Sequence, residues 1–142
     1  MMTLRNHFNN YDCDFNHYLA DAFCFALMQN DSTQANALLA MDERIIPHLI
    51  EKFCDALDEN NIPLMYALSN SGLIDINGYN AVGDTPLIHA IRSKTIKQQT
   101  FSILLGLPAM DVNQKDTNGT PPILLATNPN NVHKLIPLLR HP

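Results

Sequence analysis

The densest group of side chains able to ligate a metal or pass a proton is Asp12-Cys13-Asp14 with His17. A cysteine and a histidine four positions apart match no common zinc spacing, and no second Cys/His pair of matching spacing follows. The group reads as a polar lead-in. Cys54 with His48 or His89 would be the other candidate, as a thiol–imidazole pair. His48 lies six positions before Cys54, so on one helix the two do not face each other. His89 is expected in the core or a groove. Asp55, Asp58 and Glu59 could hold a cation, but together they read as the solvated side of a helix. No glycine-rich phosphate loop, nucleophile elbow or His-Glu-x-x-His pair occurs. The sequence therefore predicts no catalytic residue, no metal site and no cofactor.

What remains is the framework. At 142 residues the chain suits one domain, and its 46% apolar content is enough for a core. Charged residues make up only 16%, and asparagine supplies much of the missing polarity. Asparagine favours turns and helix ends because its side chain bonds nearby backbone, so many junctions are expected. A net charge of −5 argues against nucleic acid as a partner. The charge is uneven: through Asp75 there are eleven acidic and three basic residues, and afterwards three acidic and six basic. In an elongated molecule that asymmetry is a dipole able to orient a partner. Three cysteines, Cys13, Cys24 and Cys54, form no disulfide framework, and Cys24 and Cys54 sit in apolar surroundings as buried thiols. A reducing, cytoplasmic location is the expectation. No apolar stretch follows the basic residue at the start of the chain, so no secretory signal is expected. Nor is there a run of about 18 apolar residues that could span a membrane.

Self-similarity organises the chain. Asp75-Ile76-Asn77 recurs as Asp111-Val112-Asn113, Gly83 recurs as Gly119, and Ala90 recurs as Ala126. The offset is 36 each time (111 − 75, 119 − 83, 126 − 90). Each glycine suits a tight turn that needs positive φ. Thr85-Pro86 and Thr120-Pro121 start helices, threonine as cap and proline at the first helical position. Leu87 and Ile123 are expected to point into the core, with Ala90 and Ala126 one turn later. A second apolar helix follows in each case, carrying Phe101 to Leu105 and then Val132 to Leu139. Pro137 should make the last helix kink or start late.

Gly83-x-Thr85-Pro86-Leu87-x-x-Ala90 and Asp111-Val112-Asn113-x-x-Asp116-x-x-Gly119 resemble the ankyrin repeat. That family's period is about 33 residues. The longer period here places extra residues around Thr95–Gln99 or Gly106–Pro108. Ile88 and Leu124 stand where the family has histidine. Upstream, Ala26 and Ala56 continue the series, with alanine spacings of 30, 34 and 36 (56 − 26, 90 − 56, 126 − 90). The segments 14–29 and 43–57 should be helical, with Tyr18, Phe23, Ala26 and Leu27 inward in the first and Ile46, Leu49, Ile50, Phe53 and Cys54 on one face of the second. Met28, Met41, Met65 and Met110 read as core filler.

The resemblance implies an all-α solenoid of helix pairs with projecting β-turn fingers. A lead-in over residues 1–13 would precede about four repeats, near 14–42, 43–77, 78–113 and 114–142, the first two degenerate. It implies a non-catalytic adaptor or inhibitor that binds a protein partner through the fingers and the concave face. The residues expected to meet that partner are Tyr79, Asn80, Val82, Asp84, Arg92, Lys115 and Asn118. Neither nucleic acid nor membrane is expected as a partner, and the chain is expected to be a monomer. Lys134, Arg140 and His141 would cap the last pair. The alternative is the ankyrin part of a larger enzyme. Short, asparagine-rich ankyrin proteins delivered by host-associated bacteria into eukaryotic cells have a similar composition, which would place the chain in host cytosol. A metal or thiol enzyme using Cys13 and His17 is the remote third reading.

Overall fold

A computed structural model describes residues 12–41 and 43–140 of the chain, with the side chains of 12–17 and 43 excepted. The expected lead-in over residues 1–13 falls mostly outside the described residues, as do His141 and the side chains of Cys13 and His17. Among the described residues the chain is all-helical, without a strand. Its α-helices are α1 (Asp12–Met28), α2 (Ser32–Met41), α3 (Ile46–Glu59), α4 (Ile62–Asn70), α5 (Pro86–Arg92), α6 (Gln98–Leu105), α7 (Pro122–Ala126) and α8 (Leu135–Leu139). Short 3-10 turns at Glu43–Ile45 and Val132–Lys134 lead into α3 and α8.

Asparagine sets the breaks in the first half. Asn30 and Asn60 both take the left-handed conformation, φ 56°, which asparagine tolerates better than most residues. The residue after each turns its amide back to the helix just ended: Asp31 to the Ala26 carbonyl at 2.9 Å, Asn61 to the Ala56 carbonyl at 2.8 Å. The same two residues then cap the next helix. Asp31 Oδ1 accepts from the Gln34 amide at 3.0 Å, and Asn61 Oδ1 accepts from the Leu64 amide at 3.3 Å. Pro47 and Pro63 lie in the first turns of α3 and α4, where a missing N–H costs nothing.

Helices α1, α3, α5 and α7 form a row in which each packs on the next. Helix α2 packs on α1, α4 on both α3 and α1, α6 on α5, and α8 on α7. Ala26, Ala56, Ala90 and Ala126 are all fully buried in that row. Methyl-sized side chains at these contacts let neighbouring helices approach closely. The largest buried side chains are Phe53 and Phe101, with Leu49, Leu57, Met65, Leu68, Leu87 and Leu104 around them. On α3, the expected inward residues from Ile46 to Cys54 are buried or half-buried, and α8 begins late, at Leu135.

Several expected positions differ. Tyr18 is 71% exposed rather than inward, because Leu19, Ala20, Phe23 and Cys24 take the buried side of α1. Tyr18 and Phe25, seven residues apart, share the opposite face. Met28 and Met41 are exposed, while Met65 and Met110 fill core as expected. Ile123 is 42% exposed although its counterpart Leu87 is 1% exposed. Helix α5 has neighbours on both sides of the row, whereas α7 is the last member of the row among the described residues. Pro121, not Thr120, occupies the cap position of α7 and makes no side-chain cap bond. Thr85 does cap α5, accepting from the Ile88 amide at 3.2 Å.

Candidate functional site

Two tight turns precede α5 and α7, and they are built alike. In the first, the Asn80 amide donates to the Asp84 carbonyl at 2.8 Å and the Gly83 amide to the Asn80 carbonyl at 3.0 Å. In the second, the Asp116 amide donates to the Thr120 carbonyl at 3.0 Å and the Gly119 amide to the Asp116 carbonyl at 2.9 Å. One buried side-chain oxygen clamps each turn from inside. Asn80 Oδ1 accepts from the amides of Val82 at 3.1 Å and Asp84 at 2.9 Å. Asp116 Oδ1 accepts from the amides of Asn118 at 2.9 Å and Thr120 at 2.8 Å. Gly83 and Gly119 have φ of 85° and 84°, the region that a Cβ penalises.

The two turns are also joined to each other. The Thr117 amide donates to the Gly83 carbonyl at 3.2 Å. Tyr79 Oη donates to the Lys115 carbonyl at 2.8 Å and accepts from Gln114 Nε2 at 2.8 Å. Asn77 bridges below them, its Nδ2 on the Ala109 carbonyl at 2.7 Å and its Oδ1 on the Asp111 amide at 2.8 Å. Glu51 of α3 holds the first turn at the Ala81 amide. Arg92, at the end of α5, reaches Asp84 Oδ2 at 3.6 Å and Asp116 Oδ2 at 3.3 Å.

The seven residues expected to contact a partner therefore divide. Val82, Lys115 and Asn118 are exposed at the turn tips, Val82 at 76%. Tyr79 and Arg92 are exposed but already bonded, Tyr79 to the neighbouring turn and Arg92 to two aspartates. Asn80 and Asp84 are buried and form the inside of the turn instead of its outer surface. Asn80 is engaged in clamping two amides, and Asp84 faces Arg92.

Residues to which the sequence assigned other roles fix the helix ends beside this surface. Lys134 is 3% exposed, and its Nζ donates to three carbonyls at the end of α5: Ala90 at 2.7 Å, Ile91 at 2.8 Å and Ser93 at 2.7 Å. A cation there satisfies carbonyls that a helix end leaves open and complements its negative pole. Burial lowers the Lys134 pKa from its ordinary value, and the charge of Asp58 opposes that shift. Lys134 therefore caps α5, not the end of its own pair. A lone lysine inside the apolar run Val132 to Leu139 is the available signal. Asp55 and Glu59 are exposed as expected, but Asp58 is half-buried and engaged: it accepts from Ser93 Oγ at 2.7 Å and lies 2.9 Å from His89 Nε2. Lys52, buried on α3, pairs with Asp21 of α1.

Chemistry is sparse around these contacts. Among the described residues, no group of three or more His, Cys, Asp or Glu side chains gathers as a metal site would. Cys24 and Cys54 are free and buried. Burial pushes the Cys24 thiol up to about 11 and the Cys54 thiol up to about 12, so both stay protonated and poor as nucleophiles near neutral pH. No described helix is long and apolar enough to cross a membrane. Compared with known proteins, the chain matches no family description, no curated protein and no solved structure.

Proposed function

We propose that the chain is a non-catalytic protein-interaction module, an ankyrin-type solenoid of helix pairs whose turn tips and adjoining face bind a protein partner. One observation carries the reading. Two turns with the same internal bonding recur 36 residues apart, each clamped by a buried side chain and each leaving its tip in solvent. Tips held this way lose little freedom on binding, so their contacts are not offset by ordering costs. Val82, Lys115 and Asn118 supply the contacting groups, with the exposed edges of Tyr79 and Arg92 beside them. Asn80, Asp84 and Asp116 hold the shape, and Lys115 with Arg92 influences partner orientation and on-rate more than affinity.

The test places a photo-crosslinking side chain at position 82 or 118 and, as a control, at Asn36 on α2. Adducts to one protein from both tip positions and not from the control support the reading. A Val82→Asp, Lys115→Glu, Asn118→Ala chain should lose that partner while unfolding at the same temperature. Undiminished capture by this variant would refute it.

A further inference from the structure

Away from the turn tips, a continuous trough runs between α6 and the α8 end of the chain. It consists of three open clefts that share walls. The first, about 290 Å³, lies between the Ser93–Ile96 loop and Asn130, Asn131 and His133. The second, about 420 Å³, takes over at His133 and continues along Gln98, Leu105, Ile136 and Arg140. The third, about 510 Å³, shares Ser102, Leu105, Pro137 and Arg140 with the second and ends at Leu107 and Met110.

The trough's chemistry differs from that of the chain as a whole. The protein carries net charge −5, yet among the described residues no carboxylate lines any of the three clefts. Lys94, His133 and Arg140 are their titratable side chains, set along an apolar wall that includes Leu105, Ile136 and Pro137. Of these wall residues, Ile136 is more than half exposed. Eleven of the fourteen acidic residues lie at or before Asp75 in the sequence, whereas every residue of the trough comes after it. Apolar side chains left in solvent between cationic ones suit a ligand that brings apolar anchors and negative charge together.

We propose that this trough is a second docking surface, which takes an acidic peptide segment with interleaved apolar side chains. Leucine- or isoleucine-type anchors sit against Leu105, Ile136 and Pro137. Glutamates or aspartates meet Lys94 at one end and Arg140 where the second and third clefts join. Because the pairs are exposed, they set orientation and association rate, and the apolar contacts hold the complex. Binding therefore weakens as salt shortens the Debye length from about 10 Å at 0.1 M to about 3 Å at 1 M.

The probe is a labelled peptide of alternating glutamate and leucine, followed by fluorescence polarisation against the full chain. Two control peptides replace every glutamate with lysine, or every leucine with serine. The acidic peptide should bind saturably, and both controls should bind about tenfold more weakly or worse. A Lys94→Glu, Arg140→Glu chain should lose about tenfold, and Ile136→Asp should lose binding as well, with helical circular dichroism unchanged in both. Val82→Asp and Asn118→Ala should leave the peptide's affinity as it was, which separates this surface from the turn tips. Failure of the tip variants to affect their own partner would leave this result intact. Three outcomes overturn the proposal: no saturable binding, equal binding of the lysine peptide, or an unchanged Lys94→Glu, Arg140→Glu chain. Displacement of the peptide by a short oligonucleotide would reassign the trough to phosphate, and self-association that buries Ile136 would reassign it to a second copy.

Discussion

The two halves of the row hold their helices by different means. In the first half, α1 and α3 run 17 and 14 residues, and an asparagine-based break returns the chain directly into the next helix. In the second half, α5 and α7 run only 7 and 5 residues, and the long segments 71–85 and 106–121 precede them. Helices of one or two turns do not form by themselves in water. These two are held from outside, by proline at their starts, by the Thr85 cap on α5, by the clamped turns before them, and by Lys134 at the end of α5. The first half relies on apolar burial along whole helix faces. The second fixes backbone with polar side chains, and that is also where exposed tips stand on a fixed base. The exposed tips thus stand where buried polar side chains bond the turn backbone.

The largest expected effect tests where burial in the second half stops. Leu87→Ala should cost about 2–5 kcal/mol by opening a cavity in α5. Ile123→Ala, at the equivalent place 36 residues on, should cost less than about 1 kcal/mol because the residue is already 42% exposed. Urea denaturation of both variants measures the pair. Equal costs would mean that α7 is covered as fully as α5, and the contrast between an interior and a terminal helix would be gone.

Next comes a pH effect seated in the first half. Cys24 and Cys54 ionise in the unfolded chain near 9.0, but only near about 11 and about 12 when folded. Folded pKa values above unfolded ones keep stability level below pH 9, and it then falls as the unfolded chain loses protons. The slope should be about 1.4 kcal/mol per pH unit for each thiol, up to each folded pKa. Denaturation of the parent and of a Cys24→Ala, Cys54→Ala chain across pH 8 to 11 isolates this term. A parallel decline in both would assign the alkaline loss to other groups.

Lys134→Met keeps the stem and removes the ammonium. It should cost about 1–3 kcal/mol, because three carbonyls at the end of α5 lose their donor. Amide hydrogen exchange should rise in α5 and α8 and stay unchanged in α1 and α3. Uniform loosening of all four would show that the halves unfold as one unit.

Much of this is legible in residue spacing, and what is not has identifiable causes. The helices, the alanine series, the positive-φ glycines and the late start of α8 all follow from local rules: proline geometry, small side chains and φ. The outward face of Tyr18 is hidden because residues 18–28 are apolar or aromatic apart from Asp21, so periodicity does not choose which aromatic turns out. Ile123 departs from expectation because a repeat implies equal burial, while its position in the row does not. Asn80 and Asp84 read as tip residues because polar side chains in a turn can serve solvent or backbone equally well, and only the bonds to Val82, Asp84 and Arg92 decide. The reach of Lys134 to Ala90, 44 residues away, has no local pattern at all.

The smallest effect asks whether the two turns act as a joined pair. Gly83→Ala and Gly119→Ala both place a Cβ at positive φ, a strain of about 1–2 kcal/mol. Space separates them. A Cβ at Gly119 meets nothing within 4 Å, while one at Gly83 collides with Thr117 Oγ1 and has Thr117 Cβ and Cγ2 at 3.3 Å. Thr117 is held beside Gly83, since its amide bonds the Gly83 carbonyl at 3.2 Å and its Oγ1 donates to the same carbonyl at 3.4 Å. Gly83→Ala should therefore cost more than Gly119→Ala, and the excess should vanish when Thr117→Ala is added to it. A double-mutant cycle on thermal unfolding reads that coupling. If the excess survives without the threonine side chain, the strain lies within the first turn alone. In that case the second half is two independent turns, each held by its own clamp.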